Sequence, residues 1–240
     1  MRTILVSIAL ALSITACAAE KVPAPQPSAG ARDAGFAAAD GVALHGRIYG
    51  QGTTAVVLSN MGDNNIAGWE GFAPLLASRG YTVLTYSYRY STGARAFTAA
   101  DAKASVTDLQ GAIAYLKQTG ATRIVLIGAS LGAMATAKVA GGAGVAAAVL
   151  MAGRLDLSDY DFRVTEQELA SMTMPKLVLT SDRDSVTAPE LTREVFDRAP
   201  EPKSFHSFPG TAHGVNLFQT EHKADLEKRL LDFVEMNSRS

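Results

Sequence analysis

From Gly41 to its end the chain alternates short apolar runs with stretches of helical spacing, and few folds accommodate that pattern. Residues 42–49 read as a strand in which apolar and polar side chains roughly alternate. Residues 55–58 form a short buried strand, 69–78 a helix that stops at Gly80, and 81–86 the next strand. Residues 100–118 give a long amphipathic helix with Val106, Leu109, Ile113 and Leu116 on one face. The runs 123–127, 145–151, 176–180 and 204–208 complete the strands, and 131–139, 165–172, 190–198 and 224–236 the helices. Strands that alternate with helices predict an α/β fold, a mostly parallel central sheet with helices on both faces. Such sheets place their ligand sites beyond the carboxyl ends of the strands, so chemistry is sought in the residues that follow each strand.

The first residues obey another rule. Met1-Arg2 is a short positive start, 4–14 is an uncharged apolar run, and small residues follow up to Cys17. The run is short for a membrane span and reads as an export signal over 1–16. It resembles a bacterial lipoprotein signal, in which Ile14-Thr15-Ala16 precedes a lipidated Cys17. Cleavage after Ala16-Cys17-Ala18 is the rival reading. Cys17 is the chain's single cysteine, so the folded part has no intrachain disulfide. Pro23, Pro25 and Pro27 lie among small and polar residues, and 17–35 reads as a flexible tether before a domain spanning 36–240. The expected location is outside the cytoplasm, in the periplasm or at the cell surface, anchored to a membrane if Cys17 is lipidated. A formal net charge of −1 supplies no strong field for nucleic acid, and no nucleic-acid partner is expected.

The chemistry centres on Gly128-Ala129-Ser130-Leu131-Gly132, which follows the strand 123–127 directly and opens a helix. A sharp strand-to-helix turn would lift Ser130 above the sheet, and small residues at 128 and 132 would let that turn close. The pentapeptide by itself is a weak signal; its placement carries the weight. A serine hydroxyl needs a base. Of the four histidines, His45 and His206 fall inside predicted strands and His222 near the start of the last helix, on a wet surface. His213 lies in the loop after the last strand, within reach of Ser130 across the sheet edge. The base in turn needs a carboxylate to fix its tautomer. Asp184, after the strand 176–180, is the first choice; Asp182, with a turn-holding role, and Asp156 are the alternatives. The loop Ser59-Asn60-Met61-Gly62-Asp63-Asn64 supplies the backbone N–H of Met61 as an oxyanion donor beside that of Leu131.

From about Gly41 onward the chain resembles the α/β-hydrolase family, in its dienelactone-hydrolase-like and small-esterase branches. The residues that carry the likeness are Gly128 to Gly132, the Asp184 turn, the loop Thr211-Ala212-His213-Gly214, and Gly80-Tyr81-Thr82-Val83-Leu84. The resemblance implies a triad of Ser130, Asp184 and His213 that cleaves an ester-type bond, whether carboxylic ester, thioester or lactone, through an acyl-serine intermediate. The implied partner is a small-molecule acyl substrate. The chain departs from the family at Ser59-Asn60, where many members carry His-Gly. Transfer of the acyl group to an acceptor other than water, or a catalytically silent binding lipoprotein, are the alternatives on the same fold.

No cofactor or metal is expected: no histidine or carboxylate cluster has ligand spacing, and no phosphate-binding glycine loop precedes Lys-Ser/Thr. The segment 152–174 is short for a lid, so the site should be open, with Asn64, Asn65, Trp69, Tyr160 and Phe162 as lining residues. Trp69 and Phe162 fit core or cap packing equally well.

Overall fold

The computed structural model describes residues 30–90 and 95–238. The signal segment, Cys17 and the tether up to residue 29 lie outside the described residues. Among the described residues there are ten strands: β1 (Arg32–Ala37), β2 (Ala43–Tyr49), β3 (Thr54–Ser59), β4 (Thr82–Tyr86), β5 (Arg123–Ala129), β6 (Ala147–Met151), β7 (Asp156–Leu157), β8 (Phe162–Arg163), β9 (Lys176–Ser181) and β10 (Lys203–Phe208). The helices are α1 (Phe72–Ser78), α2 (Ala99–Gln118), α3 (Leu131–Ala143), α4 (Glu166–Ala170), α5 (Pro189–Arg198) and α6 (Lys223–Ser238). Eight strands form one sheet in the order β1-β2-β4-β3-β5-β6-β9-β10, and β7 and β8 make a separate two-stranded ribbon. β2 runs antiparallel to both its neighbours; the other pairings in the large sheet are parallel.

Period-two alternation explains the architecture. In β3, Ala55 and Val57 face one core cluster while Val56 and Leu58 face the other. β5 does the same, with Ile124 and Leu126 on one side and Val125, Ile127 and Ala129 on the other. Leu109, Ile113 and Leu116 of α2 and Met134 and Val139 of α3 cover the first face. Phe72 and Leu76 of α1 and Leu226, Leu230 and Val234 of α6 cover the second. Burial on both faces is why these strands read as nearly unbroken apolar runs.

β1 begins at Arg32, ahead of the expected domain start at 36, and pairs with β2 from Arg32↔Ile48 to Ala37↔Ala43. It is an edge strand with only Ala34 buried, so its polar, small-residue sequence resembles a tether. The β7–β8 ribbon was also not anticipated; it occupies the segment expected to hold a minimal lid, next to the helix found at Glu166–Ala170. Among the described residues no helix is long and apolar enough to cross a membrane.

Candidate active site

β5 delivers its last residue, Ala129, to the carboxyl edge of the sheet, and Ser130 follows with φ 51° and ψ −111°. A non-glycine residue there carries strain on the order of 1–3 kcal/mol, held by the structure around it. Two glycines make the turn possible. A Cβ on Gly128 would lie 2.2 Å from the Gly132 carbonyl oxygen, and one on Gly132 would lie 2.6 Å from that of Ser59. The Ser130 N–H donates to the Met151 carbonyl (2.8 Å), and the Ser130 carbonyl accepts from Ala133 (3.0 Å) and Met134 (3.1 Å) as α3 starts. Ser130 itself is only half-buried.

His213 Nδ1 sits 2.9 Å from Asp184 Oδ2 and 3.0 Å from Oδ1, both side chains being almost fully buried. Asp184 Oδ1 also accepts from the N–H groups of Val186 (2.9 Å) and Thr187 (3.0 Å), which fix its carboxylate. A carboxylate only accepts, so Nδ1 carries the proton and Nε2 is left with a lone pair. The two loops are tied together: Ser185 N–H donates to the Thr211 carbonyl (3.1 Å) and Ser181 Oγ to that of Ala212 (2.6 Å). Asp182 takes the turn-holding role, accepting from Gly210 N–H (2.8 Å). Asp156 is not the acid bonded to His213; it pairs with Arg163 across the small ribbon (2.8 Å).

The residue after His213 shows where this loop lies. A Cβ on Gly214 would be 3.4 Å from Ala129 Cβ and 2.7 Å from Met61 Sδ. The histidine loop therefore rests directly on the residue before Ser130 and on the loop after β3.

That loop is held by its own asparagines and by the segment Tyr86 to Tyr90, which runs on from the last residue of β4. The Asn60 carbonyl accepts from Gly132 N–H (3.0 Å) and Tyr88 OH (2.9 Å), and the Gly62 carbonyl accepts from Tyr90 OH (3.2 Å). Met61 is thus held by its neighbours on both sides. Asn60 Nδ2 donates to the Tyr86 carbonyl (2.6 Å), which is the use this chain makes of its departure at that position. Asn64 adopts φ 55° and bridges back: Tyr88 N–H donates to its Oδ1 (2.7 Å), and its Nδ2 donates to the carbonyls of Tyr88 (3.1 Å) and Tyr90 (2.8 Å). Burial pushes the phenols of Tyr86, Tyr88 and Tyr90 well above their ordinary range, so they remain neutral donors. Between the last two, Arg89 donates through its N–H (3.0 Å) and Nε (2.8 Å) to the buried Asp108 carboxylate of α2. Among the described residues the N–H groups of Met61 and Leu131 have no protein acceptor. Leu131 opens α3, where helical N–H groups are unpaired by construction. The recurrence of tyrosine at 86, 88 and 90, continuing strand periodicity past β4, was the signal available.

Other expected lining residues have different duties. Trp69 is fully buried against Phe218 and Phe162 is buried beneath Lys138, so both are packing. Asn65 caps a short helical turn by accepting from Ala67 N–H (3.0 Å). Tyr160 is half-buried and meets Phe97 edge-on at 4.9 Å, extending a row of rings from Tyr88 and Tyr90. His222, expected on a wet surface, packs its ring on Phe208 at 5.7 Å with Nε2 buried. Among the described residues no group of three His, Cys, Asp or Glu could hold a metal ion.

Residues 42–169 match the model of the "Alpha/beta hydrolase family". No curated protein matches the sequence. Solved structures share the fold at low identity. The Pyrococcus furiosus esterase Pf2001 superposes with a TM-score of 0.71 at 18% identity, over 86% of this chain and 92% of that one. An esterase domain from a Rhodothermus marinus protein gives 0.65 at 21%, over 84% and 96%. The alpha/beta hydrolase GrgF from Penicillium sp. sh18 gives 0.73 at 16%, over 87% and 99%.

Proposed function

The chain belongs to the alpha/beta hydrolase family, and from that premise we propose that it cleaves an ester-type bond, carboxylic ester, thioester or lactone, through an acyl-serine intermediate on Ser130. The observation that carries the reading is the Asp184–His213 pair (2.9 Å) on a loop that rests against the strained turn at Ser130.

In the first half-reaction His213 Nε2 accepts the Ser130 hydroxyl proton as Oγ attacks the carbonyl carbon. Asp184 holds the imidazole in the tautomer that leaves Nε2 free and stabilises the imidazolium that forms. The N–H groups of Met61 and Leu131 bind the oxyanion of the tetrahedral intermediate. Collapse breaks the bond to the alcohol or thiol, which leaves with the proton from His213. Water then repeats the sequence on the acyl-serine: it gives one proton to His213 and adds to the carbonyl. Collapse returns that proton to Ser130 Oγ and releases the acid.

Turnover of p-nitrophenyl acetate and butyrate by the parent and by Ser130→Ala tests the reading. Loss of turnover in a folded Ser130→Ala protein supports it; equal rates remove Ser130 from the mechanism. The same proposal puts the domain outside the cytoplasm on a lipid-bearing Cys17, supported by the signal-like run at 4–14. Metabolic labelling of the full chain with a tritiated fatty acid, absent in Cys17→Ser, is the expected result.

A further inference from the structure

The chain leaving β6 passes beside the nucleophile. The Met151 carbonyl accepts the Ser130 N–H (2.8 Å), and Ala152 takes a left-handed conformation (φ 51°) while donating its N–H to Leu179 (2.7 Å). Gly153 is wedged between helices: its carbonyl accepts from Thr192 Oγ1 of α5 (2.8 Å), and a Cβ there would lie 2.9 Å from Ala133 Cβ of α3. Leu155 is buried in the core and accepts the Val164 N–H (2.8 Å). Arg154 is therefore fixed from both sides at the carboxyl edge of the sheet, where the Ser130 turn also lies.

Arg154 is half-buried, and its Nε is buried without a hydrogen-bond partner. No carboxylate pairs with it among the described residues. Arg89, also half-buried, is treated differently: it is bonded to both Asp108 and Asp40. The acid nearest in sequence, Asp156, is engaged by Arg163 instead. A guanidinium that is partly out of water with a donor unmatched favours any anion that reaches it, and its planar fork fits a carboxylate with two parallel bonds.

We propose that Arg154 is a substrate-binding residue that recognises a carboxylate carried by the ester, so that the preferred substrates are half-esters of dicarboxylic acids or esters of carboxylated alcohols. The inference rests on the hydrolase reading above. Charge-assisted bidentate recognition makes the expected preference about tenfold to a hundredfold in kcat/KM.

The test compares matched pairs: 4-nitrophenyl hydrogen glutarate against 4-nitrophenyl butyrate, and 4-acetoxybenzoate against phenyl acetate. The parent should favour the anionic member of at least one pair. Arg154→Met should abolish that preference by raising KM for the anionic member far more than for its neutral counterpart, with circular dichroism and a thermal melt reporting the fold. Arg154→Lys, retaining charge but not the fork, should keep part of it. Neutral esters turned over with no anionic preference, or Arg154→Met slowing both members of a pair equally, would overturn this inference alone. Failure to turn over any ester would remove the hydrolase reading and this inference with it.

Discussion

The His213 imidazole and the Asp184 carboxylate meet at 2.9 Å in a pocket that water barely reaches, and two further backbone N–H groups hold the carboxylate in place. An amide at 184 could still accept from those N–H groups through its oxygen. It would, however, turn an NH₂ toward Nδ1 and favour the tautomer with the proton on Nε2. Asp184→Asn is therefore expected to lower kcat about 10³- to 10⁴-fold with little change in Tm. Esterase kinetics and thermal melts on the same preparation check it; a loss under tenfold would show that the pair is not catalytic.

The tyrosine hydroxyls on either side of Met61 make a separate prediction. Tyr88→Phe frees one bond to the Asn60 carbonyl and Tyr90→Phe the bond to Gly62. Each acts through the position of the Met61 N–H and not through substrate. Each should lower kcat about 5- to 30-fold, the equivalent of about 1–2 kcal/mol, with KM nearly unchanged. The double variant should lose more than either. Unchanged kcat in the double variant would show that the loop holds its shape without them.

Gly214 sits where a side chain has no room: a Cβ there would lie 2.7 Å from Met61 Sδ, and its φ is 51°. Gly214→Ala should destabilise the fold by about 1–3 kcal/mol through overpacking. Because the clash is with one flexible side chain, adding Met61→Ala should recover part of that loss, giving a non-additive cycle in urea denaturation. Strictly additive effects would contradict the contact between the histidine loop and the loop after β3.

Much of the fold was legible because β3, β5, β6 and β9 are buried on both faces and read as apolar runs. Ser130 and Asp184 stood out as candidates for a related reason, since each follows such a strand, whereas His213 follows the half-exposed edge strand β10 and stood out only by its place in the loop after it. β1 was not, because an edge strand needs only one apolar residue inward, and Arg32 and Asp33 imitate a solvated linker. The support of the Met61 loop was hidden because it depends on hydroxyls and carbonyls from a segment twenty-odd residues away, a pairing that no local pattern encodes. His222 was misread for want of Phe208, which β10 brings under its ring.

The start of α2 gives a pH-dependent expectation. Arg95 grips Asp101 with two bonds of 2.6 Å, Thr98 completes a capping box, and together they pull the Asp101 carboxyl down to about 2 from its ordinary 3.8. A carboxyl depressed in the folded state adds stability above its ordinary range, and that stability is lost as pH falls through the folded value. Asp101→Asn should cost about 1 kcal/mol near neutrality, the size of a lost cap. The gap between parent and variant should close between about pH 4 and pH 2. A gap that stays constant over that range in denaturant titrations would contradict the assignment.

The central claim is that Ser130 is an activated nucleophile. Incubation of the folded protein with a fluorophosphonate probe, followed by peptide mass mapping, tests it most directly. The account predicts one adduct, on Ser130, absent in Ser130→Ala and much slower to form in Asp184→Asn. A folded, ester-cleaving protein that carries no adduct on Ser130 would contradict it.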